Sequence, residues 1–117
     1  MKLNELKPPR KFNVGANKQI CIEHCADVYL KDNEQLTFVN DNGSEYDVAK
    51  KDWGYYATPS LNSRLVNQGF KTALVKNSYG QFYVMIVFKE KLEEFEDYLN
   101  SEDNHVVEWL DEKYSMI

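Results

Sequence analysis

Cysteine and histidine are scarce in this chain, with two of each. A structural zinc site normally takes four thiolate or imidazole ligands. Cys21, His24 and Cys25 could complete one only by recruiting the distant His105. On a strand, moreover, alternation turns His24 away from Cys21 and Cys25. No metal is therefore expected, and the two cysteines should pack on one strand face as small buried hydrophobes. An apolar secretory segment is also lacking at the N-terminus, so the two thiols point to a reducing cytoplasm. No apolar run approaches the roughly 18 residues of a membrane-spanning helix. The five glycines are not spaced as a phosphate-binding loop, and no Gly-x-Ser-x-Gly elbow exists. No cofactor is expected.

Positive charge is in deficit too: 14 Lys and Arg face 19 Asp and Glu, for a net charge of -5. Because phosphate neutralisation supplies most nucleic-acid affinity, this balance argues against a nucleic-acid partner. The charge is unevenly spread. Residues 1–18 carry five cations (Lys2, Lys7, Arg10, Lys11, Lys18) against Glu5 alone, and residues 89–117 carry three cations against ten acids. Two solvated ends explain this most simply; the alternative is attraction between them, within or between chains.

What the chain does have is apolar and aromatic substance, 43% and 14%. That is enough for one folded domain. Residues 1–17, with Pro8-Pro9 and no hydrophobic period, read as a flexible basic arm that turns into a strand near Lys18. Residues 18–117 read as a single α+β domain. Gln19 to Lys31 is strand-like, with Ile20, Ile22 and His24 on one face and Cys21, Glu23 and Cys25 on the other. Leu36–Val39 and Ser44–Val48 flank Asn42-Gly43, the signature of a tight hairpin turn. There Tyr46 and Val48 should face the core, with Glu45 and Asp47 wet.

A helix is expected from Thr58 or Ser60 as N-cap to about Asn67, stopped by Gly69. Phe70–Lys76 reads as a strand. Phe82–Phe88, apolar without alternation, reads as a central strand covered on both faces. Lys89–Asn100 has helical spacing, with Leu92, Phe95 and Leu99 in one stripe. His105–Leu110 closes the sheet, Val106 sharing a face with Glu108 and Leu110, and the last residues should fray. From residue 45 the order is that of a split βαβ, ferredoxin-like unit, extended by the N-terminal hairpins into a mainly antiparallel sheet with two helices.

The stretch from Asp52 to Leu65 concentrates chemistry. Trp53, Tyr55 and Tyr56 offer flat rings with polar tips, suited to a sugar or a protein partner. A helix opening near Thr58–Ser60 would direct N–H groups at an anion, and Arg64 could grip the same anion with two hydrogen bonds. Ser60 and Asn62 could orient hydroxyls. The recognition candidates are thus Asp52, Trp53, Tyr55, Tyr56, Thr58, Ser60, Asn62 and Arg64. The alternative is that the rings are core side chains where a sheet meets a helix, and that Arg64 pairs with a structural acid.

Three runs carry a resemblance: Glu34-Gln35-Leu36-Thr37-Phe38-Val39, Glu45-Tyr46-Asp47-Val48, and Lys51-Asp52-Trp53-Gly54-Tyr55-Tyr56-Ala57-Thr58-Pro59-Ser60-Leu61-Asn62. Together they resemble a family of small bacterial proteins associated with gene neighbourhoods for surface glycans and nonulosonic (sialic-acid-like) sugars. The similarity spans about residues 18–110. It implies a setting, with no catalytic residue to carry over. Three functions follow as expectations. The first is a non-catalytic accessory module that docks on a glycan-biosynthesis enzyme or holds an anionic sugar. The second is a small enzyme on an anionic or activated sugar, with Arg64 holding the anion and a buried Asp52 or a tyrosine moving the proton. The third is a structural homodimerisation domain.

Overall fold

A computed structural model describes residues 1–113. The closing residues, expected to fray, lie outside them. The described chain is α+β, with eight strands in three antiparallel sheets. By its internal contacts it divides into two units, residues 1–37 with 47–58, and residues 38–46 with those from 59 onward. No helix among the described residues is long and apolar enough to cross a membrane.

The first unit begins with a long ribbon. β1 (Lys2–Val14) pairs antiparallel with β2 (Ile20–Tyr29). The chain is therefore in a strand from Lys2, not from near Lys18. The ladder is interrupted between Glu5 and Arg10. Pro8 and Pro9 sit in that gap, where the missing N–H donors cost no ladder bond. Register places Leu3 opposite Val28, Phe12 opposite Ile22 and Val14 opposite Ile20. Since directly opposed residues share a face, these pairs form one apolar stripe, with Arg10 and His24 opposed in the same row. Cys21, Glu23 and Cys25 occupy the reverse face, as alternation requires. Both thiols are exposed, which corrects the expectation that they are buried.

β3 (Gln35–Val39), β4 (Glu45–Lys51) and β5 (Gly54–Ala57) form a three-stranded meander. The Asn42-Gly43 turn forms as expected: Gly43 takes φ +89 and donates its N–H to Asn40 O at 2.8 Å. The wet face is reassigned. Asp47 is 1% exposed and Ala49 8%, whereas Tyr46 and Val48 are half-buried. Asp47 is accommodated because Thr37 Oγ1 donates to its carboxylate at 2.5 Å. Burial also pushes the Tyr46 hydroxyl above its ordinary pKa.

The second unit holds the larger core. α1 is a single turn, Arg64–Asn67, followed by Gly69 at φ +87. The helix thus ends where expected but begins one turn late. β6 (Phe70–Lys76) is the middle strand between β7 (Phe82–Phe88) and β8 (His105–Trp109). β7 is therefore an edge strand, and Phe82, Tyr83 and Val84 are exposed; the expectation of a covered central strand is corrected. α2 (Leu92–Ser101) turns the Leu92, Phe95 and Leu99 stripe inward as expected. Leu99 and Phe95 pack with Ala73, Val75, Met85, Val106 and Trp109. Val106 and Trp109 reach the same cluster because a register shift between Leu74 and Val75 leaves Val107 out of the ladder, 48% exposed. The four strands of a split βαβ unit do not gather in one sheet, since β4 pairs with β3 and β5 and not with β6.

Candidate functional site

Residues 52–57, read from sequence as a bend, fold as the end of a hairpin. Lys51 pairs with Gly54, Lys50 with Tyr55, Ala49 with Tyr56 and Val48 with Ala57. Asp52 and Trp53 are left as the two-residue loop. Gly54 takes φ +147, which an L side chain rarely adopts, so glycine permits the close return of the chain. A short aromatic strand after a two-residue loop was the available signal for β5.

The rings lie in solvent. Trp53 is 67% exposed, Tyr55 66% and Tyr56 45%. Trp53 stacks on Tyr56 with centroids 5.8 Å apart and planes 25° apart. On the opposite face of the hairpin, Lys50 Nζ lies 5.8 Å from the centre of the Tyr55 ring. The rings are therefore not core side chains. The base beneath them is pinned by polar contacts that sequence reasoning did not single out. Lys50 Nζ pairs with Asp32 at 3.0 Å, Lys51 Nζ donates to Asn33 Oδ1 at 2.5 Å, and Asn33 N donates to Lys50 O at 2.8 Å. Thr58 closes this unit's contribution: its N–H donates to Asp47 O at 3.1 Å, and its hydroxyl donates to Gln35 Oε1 at 3.3 Å.

Ser60, Asn62 and Arg64 belong to the second unit. Ser60 Oγ accepts the Arg64 N–H at 2.8 Å, and Ser60 O accepts the Leu65 N–H at 3.0 Å. The helix does not open near Thr58–Ser60 but at Arg64, and the N–H groups of Arg64 and Leu65 in its single turn are satisfied locally. Asn62 Nδ2 donates to Lys113 O at 3.2 Å, tying the turn to the C-terminal segment. Arg64 is exposed, as is Asp52, which lacks the burial that proton transfer would require.

Two hollows lie within the second unit and involve none of the expected residues. One, of about 410 Å³, is lined by Asn42, Gln68, Gly69, Phe88, Lys89 and Glu90. Its wall is held by Ser44 Oγ donating to Gln68 O at 3.0 Å and by Glu45 N donating to Gln68 Oε1 at 3.2 Å. The other, of about 310 Å³, runs between β7 and α2. Among the described residues no cluster of three His, Cys, Asp or Glu side chains could hold a metal ion. His24 instead pairs with Asp27 at 2.8 Å and accepts from Arg10 Nε at 3.3 Å. No protein-family model, curated protein or solved structure matches this chain.

Proposed function

We propose that the chain is a non-catalytic recognition module whose β4–β5 tip docks a protein partner. The observation that carries this reading is the exposure of Trp53 and Tyr55, 67% and 66%, at the end of a pinned hairpin. Large rings left in water at one place are costly to keep there without a use, and Trp and Tyr dominate the energetic centres of interfaces. The Trp53–Tyr56 stack favours affinity, because rings already held in place lose little freedom on binding. The convex form of a hairpin end suits a partner's pocket better than it suits enclosing a small molecule. The string resemblance supplies the setting: a partner among proteins that assemble surface sugars.

A photo-crosslinking amino acid placed at position 53 or 55 tests this in the native host. One protein should be captured from both positions, and not from the exposed control position Tyr79. Trp53→Ala with Tyr55→Ala should weaken that complex by about 100-fold or more. Unchanged affinity of the double variant would overturn the reading. A small-ligand site would announce itself differently. Anionic sugars would then raise the melting temperature of the wild type and not of Arg64→Ala.

A further inference from the structure

We infer that two copies of this chain pair edge to edge along β7, antiparallel, about a two-fold axis through Met85. This surface is distinct from the aromatic tip.

A sheet edge leaves alternate N–H and C=O groups pointing outward, ready to pair with another strand. Among the described residues, the other edges each carry something that blunts them. The ribbon has Pro8, Pro9, an interrupted ladder and several Lys and Arg side chains. β3 and β5 are only five and four residues long. β8 carries Glu108 and the register shift that expels Val107. β7 has none of these devices. Its seven residues, Phe82-Tyr83-Val84-Met85-Ile86-Val87-Phe88, include no charge, proline or glycine, and they pair with β6 without a break. Among the described residues the β7 backbone bonds to β6 and to no other segment.

The two halves of β7 differ in a way that fits a second β7. The first half stands bare on both faces: Phe82 is 56% exposed, Tyr83 45% and Val84 61%. The second half borders the hollow of about 310 Å³ shared with α2. Met85, Ile86, Val87 and Phe88 all line it. Neighbouring side chains point to opposite faces, so four in a row reach one hollow around the free edge of the strand. An antiparallel partner centred on Met85 sets each bare half against the other copy's hollowed half. Phe82 then opposes the partner's Phe88, Tyr83 the partner's Val87 and Val84 the partner's Ile86, while Met85 meets its own counterpart. Every pair is apolar, so no like charges are opposed. Tyr83 shares the face of Met85, which packs with Phe95 of α2, so its ring enters the hollow of the partner from the helix side. A cavity of about 150 Å³ already holds a benzene ring, so the space suffices. The exposed parts of Phe82, Tyr83, Val84 and Tyr98 supply roughly 400 Å² per copy, and the half-buried Met85, Ile86 and Phe88 add to it. The pair thus approaches the roughly 1,000 Å² in total at which specific interfaces begin. A second copy brings apolar residues to all seven opposed positions, and the two-fold axis closes the contact with no β7 edge left over.

Sedimentation equilibrium of the full chain, with nuclear Overhauser contacts in a mixture of labelled and unlabelled copies, tests this. The wild type should dimerise at micromolar concentration, as an interface of this size predicts. The dimer should tighten as salt screens the net charge of -5 on each copy. Methyl contacts between copies should join Val84 to Ile86. Val84→Lys, which sets an ammonium against an apolar side chain twice per dimer, should weaken it at least about tenfold. Val107→Lys, on β8, should leave it unchanged. Both positions are exposed, so melting curves of the diluted variants should match that of the wild type. A wild type still monomeric at millimolar concentration would overturn the inference. So would a dimer indifferent to Val84→Lys, or contacts between copies that join other residues.

Discussion

Asp111 shows how one carboxylate can join a strand to the segment that follows the last one. Its side chain is 6% exposed, and it accepts from Lys71 Nζ at 2.8 Å and from Thr72 N at 2.9 Å. Burial alone would raise its pKa. The hydrogen bonds from Lys71 and from the Thr72 backbone outweigh that and hold it below the ordinary carboxylate value. A folded-state pKa below the unfolded one adds stability that is full above the unfolded value, near ~4. That stability is lost as pH falls through the lower, folded value. Asp111→Asn should therefore cost about 1.5–3 kcal/mol at neutral pH and flatten the acid limb of stability, read from urea melts across pH. Trp53 is the opposite case. A buried tryptophan cut to alanine costs about 3–5 kcal/mol. At 67% exposure Trp53→Ala should cost within about 1 kcal/mol in the same melts. Sequence could name both residues but rank neither: an Asp in an acidic tail and a Trp near a bend look alike whether buried or bare.

Elements whose signal is local were legible, and those decided by distant partners were not. Asn42-Gly43 sets its own turn, and the Leu92, Phe95, Leu99 spacing sets its own helix face. The apolar run of β7 could not disclose its place, because whether a strand lies inside or at an edge depends on what pairs beyond it. Likewise Val107 has the residue type of a ladder member, and only the register against β6 expels it. The candidate site was half legible. Its residues were picked out by composition, yet the hairpin that presents them went unread, since the turn residues Asp52-Trp53 lack the usual glycine. Gly54, just after them, makes the return. Gly54→Ala meets no atom within 4 Å, so any cost comes from the backbone angle alone. It should destabilise by about 1 kcal/mol. The Trp53 indole N–H resonance should shift in the same variant, showing the tip displaced without global unfolding.

Burial is concentrated in one of the two units. The second holds Leu65, Phe70, Ala73, Val75, Val87 and Leu99, whereas the buried residues of the first are Asp47 and Ala49. Local opening follows apolar burial, so resistance to exchange should differ strongly along the chain. Amides of β6, in the middle of its sheet, should exchange slowest, and those of the ribbon fastest. A denaturant melt should then show the first unit opening ahead of the second, with near-ultraviolet and far-ultraviolet signals failing to coincide. Coincident signals and uniform exchange would mean that the units unfold as one.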